Sequence, residues 1–105
     1  MDNKFNYVYC NTDPDNDYFL IAENSTCTES ISEIITEYQT CAFAAARLRK
    51  QIDKVVGRSP LDPYGCYVDL RDTSYHNGKV FFNDNSNGKT RSSTKSICRK
   101  GKYQI

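Results

Sequence analysis

At 105 residues the chain is long enough for one small core and one domain. Hydrophobic residues make up 38% and the formal net charge is +1. No run approaches the roughly 20 apolar residues of a membrane span, and there is no basic excess of the kind nucleic-acid binders carry. Eight tyrosines and five phenylalanines with no tryptophan predict that aromatic rings supply much of the buried area.

The near-neutral total conceals an asymmetry. Residues 1–37 carry a net charge of −7, and residues 38–105 a net charge of +8. The acidic half is expected to fold onto the basic half within one chain. Head-to-tail association of subunits is the alternative. The start, Met1 to Cys10, has neither a basic n-region nor an apolar h-region, so a signal peptide is not expected in this numbering.

In chain order, Phe5, Tyr7 and Tyr9 alternate with polar residues up to Cys10 and predict a short strand. Asn11 to Asp17 is a turn. Its Asp13, Asp15 and Asp17 imitate the opening of a calcium loop, but the sixth position lacks Gly and the twelfth, Asn24, is not Glu. Tyr18 to Ala22 reads as a second strand. Asn24-Ser25-Thr26 is a glycosylation sequon, so Asn24 is a glycan acceptor if the chain enters a secretory pathway.

From Ile31 to Val56 the apolar residues Ile31, Ile34, Tyr38, Cys41, Ala45, Leu48, Ile52 and Val55 recur at steps of three and four, which predicts one amphipathic helix. Ser30 with Glu33 forms a capping box at its start, and Gly57 is its stop. A second box, Thr36 with Gln39, allows a break near Thr36. Unbroken, such a helix would be roughly 39 Å long at 1.5 Å per residue.

Arg58 to Pro63, with Pro60 and Pro63, is a connecting loop. Gly65–Leu70 and Lys79–Asn83 are strands, and Tyr75-His76-Asn77-Gly78 between them supplies the positive φ of a tight hairpin. Asn83 to Gly88 again resembles a calcium loop but lacks both anchoring carboxylates, and is read as a turn. Ser92 to Cys98 is a polar strand, and Arg99 to Ile105 a basic tail. The fold class is α+β: one main helix packed on a small antiparallel sheet. It forms a single domain over 1–105, with an N-terminal strand and acidic turn (1–17), a cysteine-rich body (18–99) and a tail (100–105).

Five separated cysteines, Cys10, Cys27, Cys41, Cys66 and Cys98, in a chain with a thin core predict a disulfide-stabilised domain. Residue types alone leave the pairing open. One thiol must remain over. A cysteine framework without a leader fits a mature chain, a cytosolic protein with reduced thiols, or a virion protein oxidised by a virus-encoded thiol oxidase.

Thr26-Cys27, a helix bearing Cys41, Ala44, Ala45 and Leu48, then Pro63-Tyr64-Gly65-Cys66-Tyr67, Val80-Phe81-Phe82-Asn83 and Ile97-Cys98-Arg99 follow in order. Over residues 18–99 this resembles a cysteine-rich module of surface and secreted proteins of algae and other protists, and of the large DNA viruses that infect them. The resemblance implies that Cys27, Cys41, Cys66 and Cys98 form the framework, with Cys41 bridged to Cys66 and Cys27 to Cys98. It also implies a building block rather than an enzyme, and makes Cys10 the odd thiol, free and buried or joining two subunits. The stretch from Cys27 to Cys41 is a helical turn or two longer than the module's pattern, and Cys10 has no counterpart in it. The missing leader favours the viral branch.

Catalytic chemistry finds little support. The only His, His76, falls in a predicted turn, a poor place to hold a base. There is no Cys-x-x-Cys, phosphate loop or nucleophile elbow, so no metal or cofactor is expected. The basic run Arg91, Lys95, Arg99, Lys100 and Lys102 reads as solvated rather than as a nucleic-acid contact.

The expected function is therefore a non-enzymatic structural or interaction protein of a virion, particle or cell surface, foremost a minor capsid-associated protein. It would be partnered by its own copies or by other capsid or surface proteins through the helix and the oppositely charged halves. The rival reading is a secreted glycan-binding module using the tyrosine-bearing loops Asp13–Tyr18, Tyr75–Asn77 and Asn83–Asn87.

Overall fold

The computed structural model describes residues 17–27, 32–71 and 78–101. The predicted strand at Phe5–Cys10, most of the acidic turn, Ser30 of the first capping box, His76 and the last four residues lie outside them. Six strands and one helix occur in the order β1 (Tyr18–Leu20), β2 (Ser32–Ile34), α1 (Tyr38–Arg47), β3 (Ile52–Gly57), β4 (Gly65–Asp69), β5 (Lys79–Asn83) and β6 (Thr94–Lys100).

The single helix of 31–56 is corrected to ten residues flanked by strands. It begins near the break expected at Thr36, but Glu37 is the N-cap and makes no side-chain cap bond, so the Thr36–Gln39 box does not form. It ends in a Schellman motif, with Arg49 at φ 60°. The Arg49 N–H donates to the Ala46 carbonyl and the Lys50 N–H to that of Ala45. The three-and-four spacing continues past both ends, yet there the residues stand in strands. Ile35, off the predicted stripe, is buried, whereas Ile34 and Val55, on it, are exposed. β-branched Ile52, Val55 and Val56 suit the strand they form.

The sheet runs β1-β6-β4-β5-β3, with β2 also on β6. Tyr67 opposes Ser96 in the antiparallel β4–β6 pair, and Tyr67 opposes Phe81 in the β4–β5 hairpin. Gly78, closing the predicted hairpin, has φ +78°. The sheet is mixed rather than antiparallel: β5 inserts between β3 and β4, antiparallel to β4 and parallel to β3. The last strand extends to Lys100, taking in two residues assigned to the tail.

Alternation assigns the faces. Cys66, Val68, Val80, Phe82 and Ile97 point towards α1, where they meet Cys41, Ala44, Ala45 and Leu48 in one buried cluster with Ile35. Two alanines let the helix approach closely. Among the described residues the buried aromatic side chains are Tyr67 and Phe82, so the core is largely aliphatic and sulfur rather than aromatic. β2 and β4 meet end to end along β6, and Gly65 sits at the junction with φ +93°. A Cβ there would lie 2.8 Å from the Ile35 carbonyl oxygen, so glycine is required.

Candidate functional site

The opposite face of the sheet is covered by two loops, residues 58–64 and 84–93, and Asn83 holds them together. It is fully buried at the end of β5, between a strand and a turn that both need hydrogen-bond partners. Its Nδ2 donates to the carbonyls of Ser59 at 2.7 Å, Asp62 at 3.0 Å and Pro63 at 3.1 Å. Its Oδ1 accepts from the N–H groups of Ser59 and Asn85. Gly88 seals the loops, because a Cβ there would collide with the Asp62 carbonyl.

Beside this seam lies a charged cluster that alternation along β4 brings onto the loop-covered face. Asp69, 1% exposed, accepts from Arg71 Nη2 at 2.7 Å and Nε at 3.1 Å. Arg91 reaches from the second loop to Asp62 in the first, Nη2 to Oδ1 at 2.8 Å, and lies 3.7 Å from Asp69. Nearby Lys79 and Asp53 pair at 3.8 Å. Among the described residues, three carboxylates thus face three cations, and the buried charge on Asp69 is compensated as such burial requires.

Tyr67, one step back along β4 from Asp69 on the same face, is 5% exposed and stacks on Phe81 with centroids 5.8 Å apart. Burial first, then the Asp62 and Asp69 charges, push its hydroxyl well above the usual phenol range, against the opposing pull of Arg91 and Arg71. Tyr67, Phe81, Asp62, Asp69, Arg71 and Val55 are among the residues lining a hollow of about 240 Å³ at the β3 side. A larger hollow, about 370 Å³, opens on the other side of the paired loops. Ile34, Pro63, Tyr64, Cys27, Thr26 and Lys89 help to line it.

Comparison with protein-family models, curated proteins and solved structures finds no match to this chain.

The residues singled out from sequence fall as follows. Cys41 bridges Cys66 with Cα atoms 5.4 Å apart, and Cys27 bridges Cys98 at 5.6 Å, the pairs that the resemblance implies. Cys10 lies outside the described residues. Asn24 sits exposed at φ 64° in a turn beside Glu23, whose Oε1 accepts from the Ser93 N–H. The oppositely charged halves meet within the chain at this contact and at Glu33–Arg99, 3.8 Å apart.

Of the three loops proposed for sugars, Asp13–Tyr18 and Tyr75–Asn77 lie largely or wholly outside the described residues. The third spends two of its side-chain amides internally: Asn83 as above, while Asn85 donates to the Arg58 carbonyl and accepts from the Asn87 backbone N–H. The basic run does not form one patch, since Arg91 turns to Asp62 and Arg99 to Glu33. Among the described residues, no group of three or more His, Cys, Asp or Glu is placed to hold a metal ion, and no helix is long and apolar enough to cross a membrane.

Sequence reading missed Tyr67, Asp69, Arg71 and Arg91 as a group. A partial signal is present: Asp69 interrupts an otherwise apolar strand, and Arg71 follows at the same-face interval of two. Arg91, from twenty residues further on, carries no such mark.

Proposed function

We propose that the chain is a non-enzymatic structural or interaction protein of a particle or cell surface, in its most specific form a minor capsid-associated virion protein of the cysteine-rich type that its residues 18–99 resemble. The observation that carries this reading is the placement of the two bridges. Cys41–Cys66 ties the helix to one face of the sheet, and Cys98, which shares the other face with Tyr67 and Asp69, is tied to Cys27 after β1. Stability held in this way suits an oxidising environment and a thin core.

The sheet edge at β3 is blunted against added strands. Its register is irregular, Lys54 is exposed, Asp53 Oδ2 accepts from the Val55 N–H, and the Tyr38 hydroxyl donates to the Asp53 carbonyl. Association is therefore assigned to side chains: Phe43 on α1, 54% exposed, and Val55 and Leu61, 67% and 75% exposed.

The test is intact mass after alkylation of unreduced chain from its natural source, with sedimentation velocity alongside. Four alkylation-resistant cysteines and a species larger than the monomer that Val55→Ser with Leu61→Ser dissolves are expected. Five labelled cysteines would place the chain in a reducing compartment and end this reading.

A further inference from the structure

We infer that the 370 Å³ hollow at the junction of β2 and β4 is a binding site for a small amphipathic monocarboxylate that carries a hydroxyl at its far end. Phe43, Val55 and Leu61, the residues assigned to association, are not among those that line it, so the inference stands apart from the proposed assembly.

The hollow lies where two strands share one neighbour. Ile34 of β2 opposes Cys98 and Tyr67 of β4 opposes Ser96, which leaves Ile97 of β6 between the two strand ends. Burial grades the lining from floor to rim. Pro63, Cys66, Ser96 and Ile97 are buried, Cys27 and Tyr64 are half-buried, and Thr26, Ser86 and Lys89 are exposed.

Two independent observations point to a ligand. The first is at the floor. Ser96 is 7% exposed, yet its hydroxyl makes no hydrogen bond with any described residue. Buried hydroxyls are ordinarily paired, so this one, set among apolar neighbours, leaves a donor and an acceptor for whatever enters. The second is at the rim. Among the described lining residues Lys89 is the only side chain charged at neutral pH, and its ammonium pairs with no described carboxylate. Asp62, whose carbonyl accepts from the Lys89 backbone N–H, has its carboxylate held by Arg91.

The site therefore offers one positive charge at its mouth, an apolar wall of Ile34, Tyr64 and Pro63, and one unspent hydroxyl at its base. A carboxylate, a hydrocarbon body and a terminal hydroxyl complement these in the same order. A second negative charge on the ligand would find no counter-ion among the described lining residues, and a body without the hydroxyl would leave Ser96 unpaired. The volume equals about twelve waters at about 30 Å³ each, room for a ligand of about a dozen non-hydrogen atoms.

The experiment is a titration of the ¹⁵N-labelled, disulfide-intact chain, followed by amide chemical shifts. The probes are p-hydroxyphenylpropionate and ω-hydroxyoctanoate. Phenylpropionate and octanoate serve as counterparts without the hydroxyl, and p-hydroxyphenylpropionamide as one without the charge. At least one hydroxy acid is expected to give saturable shifts centred on Cys66, Lys89, Ser96 and Ile97, with a millimolar Kd as suits a ligand of this size. Its deoxy counterpart should bind about fivefold more weakly through one lost hydrogen bond. The amide should bind about threefold more weakly than the acid, as suits a pair at an exposed ammonium. Ser96→Ala should erase the preference for the hydroxyl and Lys89→Gln the preference for the carboxylate, each with the remaining amide spectrum unchanged. The inference is overturned if neither hydroxy acid saturates, which would mean that the hollow holds only water. It is equally overturned if the shifts centre elsewhere, if the deoxy acids and the amide bind as tightly, or if the two variants keep the parent's preferences.

Discussion

The two faces of this sheet are built on different physics. Towards α1, Leu48, Val68, Val80, Phe82 and Ile97 exclude water around the Cys41–Cys66 bridge, and their stabilisation is roughly proportional to area and indifferent to direction. Towards the loops, Asn83, Asp69, Arg71 and Arg91 replace water with directed bonds, and each depends on its partner's position. The apolar face tolerates shape changes that keep volume. The polar face tolerates few changes but can offer unspent donors and acceptors, as at Ser96. In a chain this small, undirected burial is concentrated on one side and directed polar bonding on the other.

Reducing the bridges is the strongest way to test that division, because they anchor both faces. The closed separations of 25 and 71 residues correspond to about 3.5 and 4.4 kcal/mol of chain entropy. For a domain of this size that predicts a fall in melting temperature of about 20 °C or more on reduction. Calorimetry with and without reductant checks it, and an unchanged transition would refute it.

Single substitutions then separate the faces. Leu48→Ala, at a fully buried site, is expected to cost about 2–5 kcal/mol in urea unfolding and to raise amide exchange throughout the sheet. Asn83→Ala strips the loop seam of its directed bonds and should cost less, about 1–3 kcal/mol. Its exchange should quicken mainly in residues 58–64 and 84–91, with α1 still protected. If both variants loosened the same amides, the faces would be one cooperative unit and the contrast would fail.

Comparing Tyr67→Phe with the parent at alkaline pH probes the polar face. The folded-state pKa of Tyr67 is raised above its ordinary 10.0, so above that pH the folded chain keeps a proton that the unfolded chain has lost. Its contribution is complete below about pH 10 and declines by about 1.4 kcal/mol per pH unit above it, towards the raised folded value. Between pH 8 and pH 11, Tyr67→Phe should therefore lose about 1 kcal/mol less stability than the parent, as read from denaturation midpoints. The smallest effect belongs to the exposed Arg58–Asp84 pair at 3.8 Å, where Arg58→Ala should change stability by no more than about 0.5 kcal/mol.

The antiparallel pairing of β4 with β5 was legible because the two strands are local signals, and Gly78 has the positive φ expected of it, whereas Tyr75, His76 and Asn77 of the predicted turn lie outside the described residues. The helix was legible only at its centre. Cys41, Ala45 and Leu48 are buried as their spacing predicts, but Ile34, Ile52 and Val55 keep the same spacing and stand in strands. A few apolar residues at steps of three and four fit a helix arithmetically, and only partners across the sheet make strands of them. β3 is a strand because β5 lies beside it, and β5 comes more than twenty residues later.

The same division holds for function. By itself the sequence determined the local features: an α+β mixture of elements, cysteines too numerous for so thin a core, an amphipathic centre around Cys41, and the turn that follows Asn83. Tertiary structure alone decided that β3 lies parallel to β5, that Asn83 is a buried clasp rather than a surface ligand, and that Arg91 meets Asp62 and Asp69 on the face that buries Tyr67. The reason is range: turn and cap preferences act over a few residues, whereas a strand's neighbour and a carboxylate's counter-ion are chosen by which distant segments the whole chain can pack together.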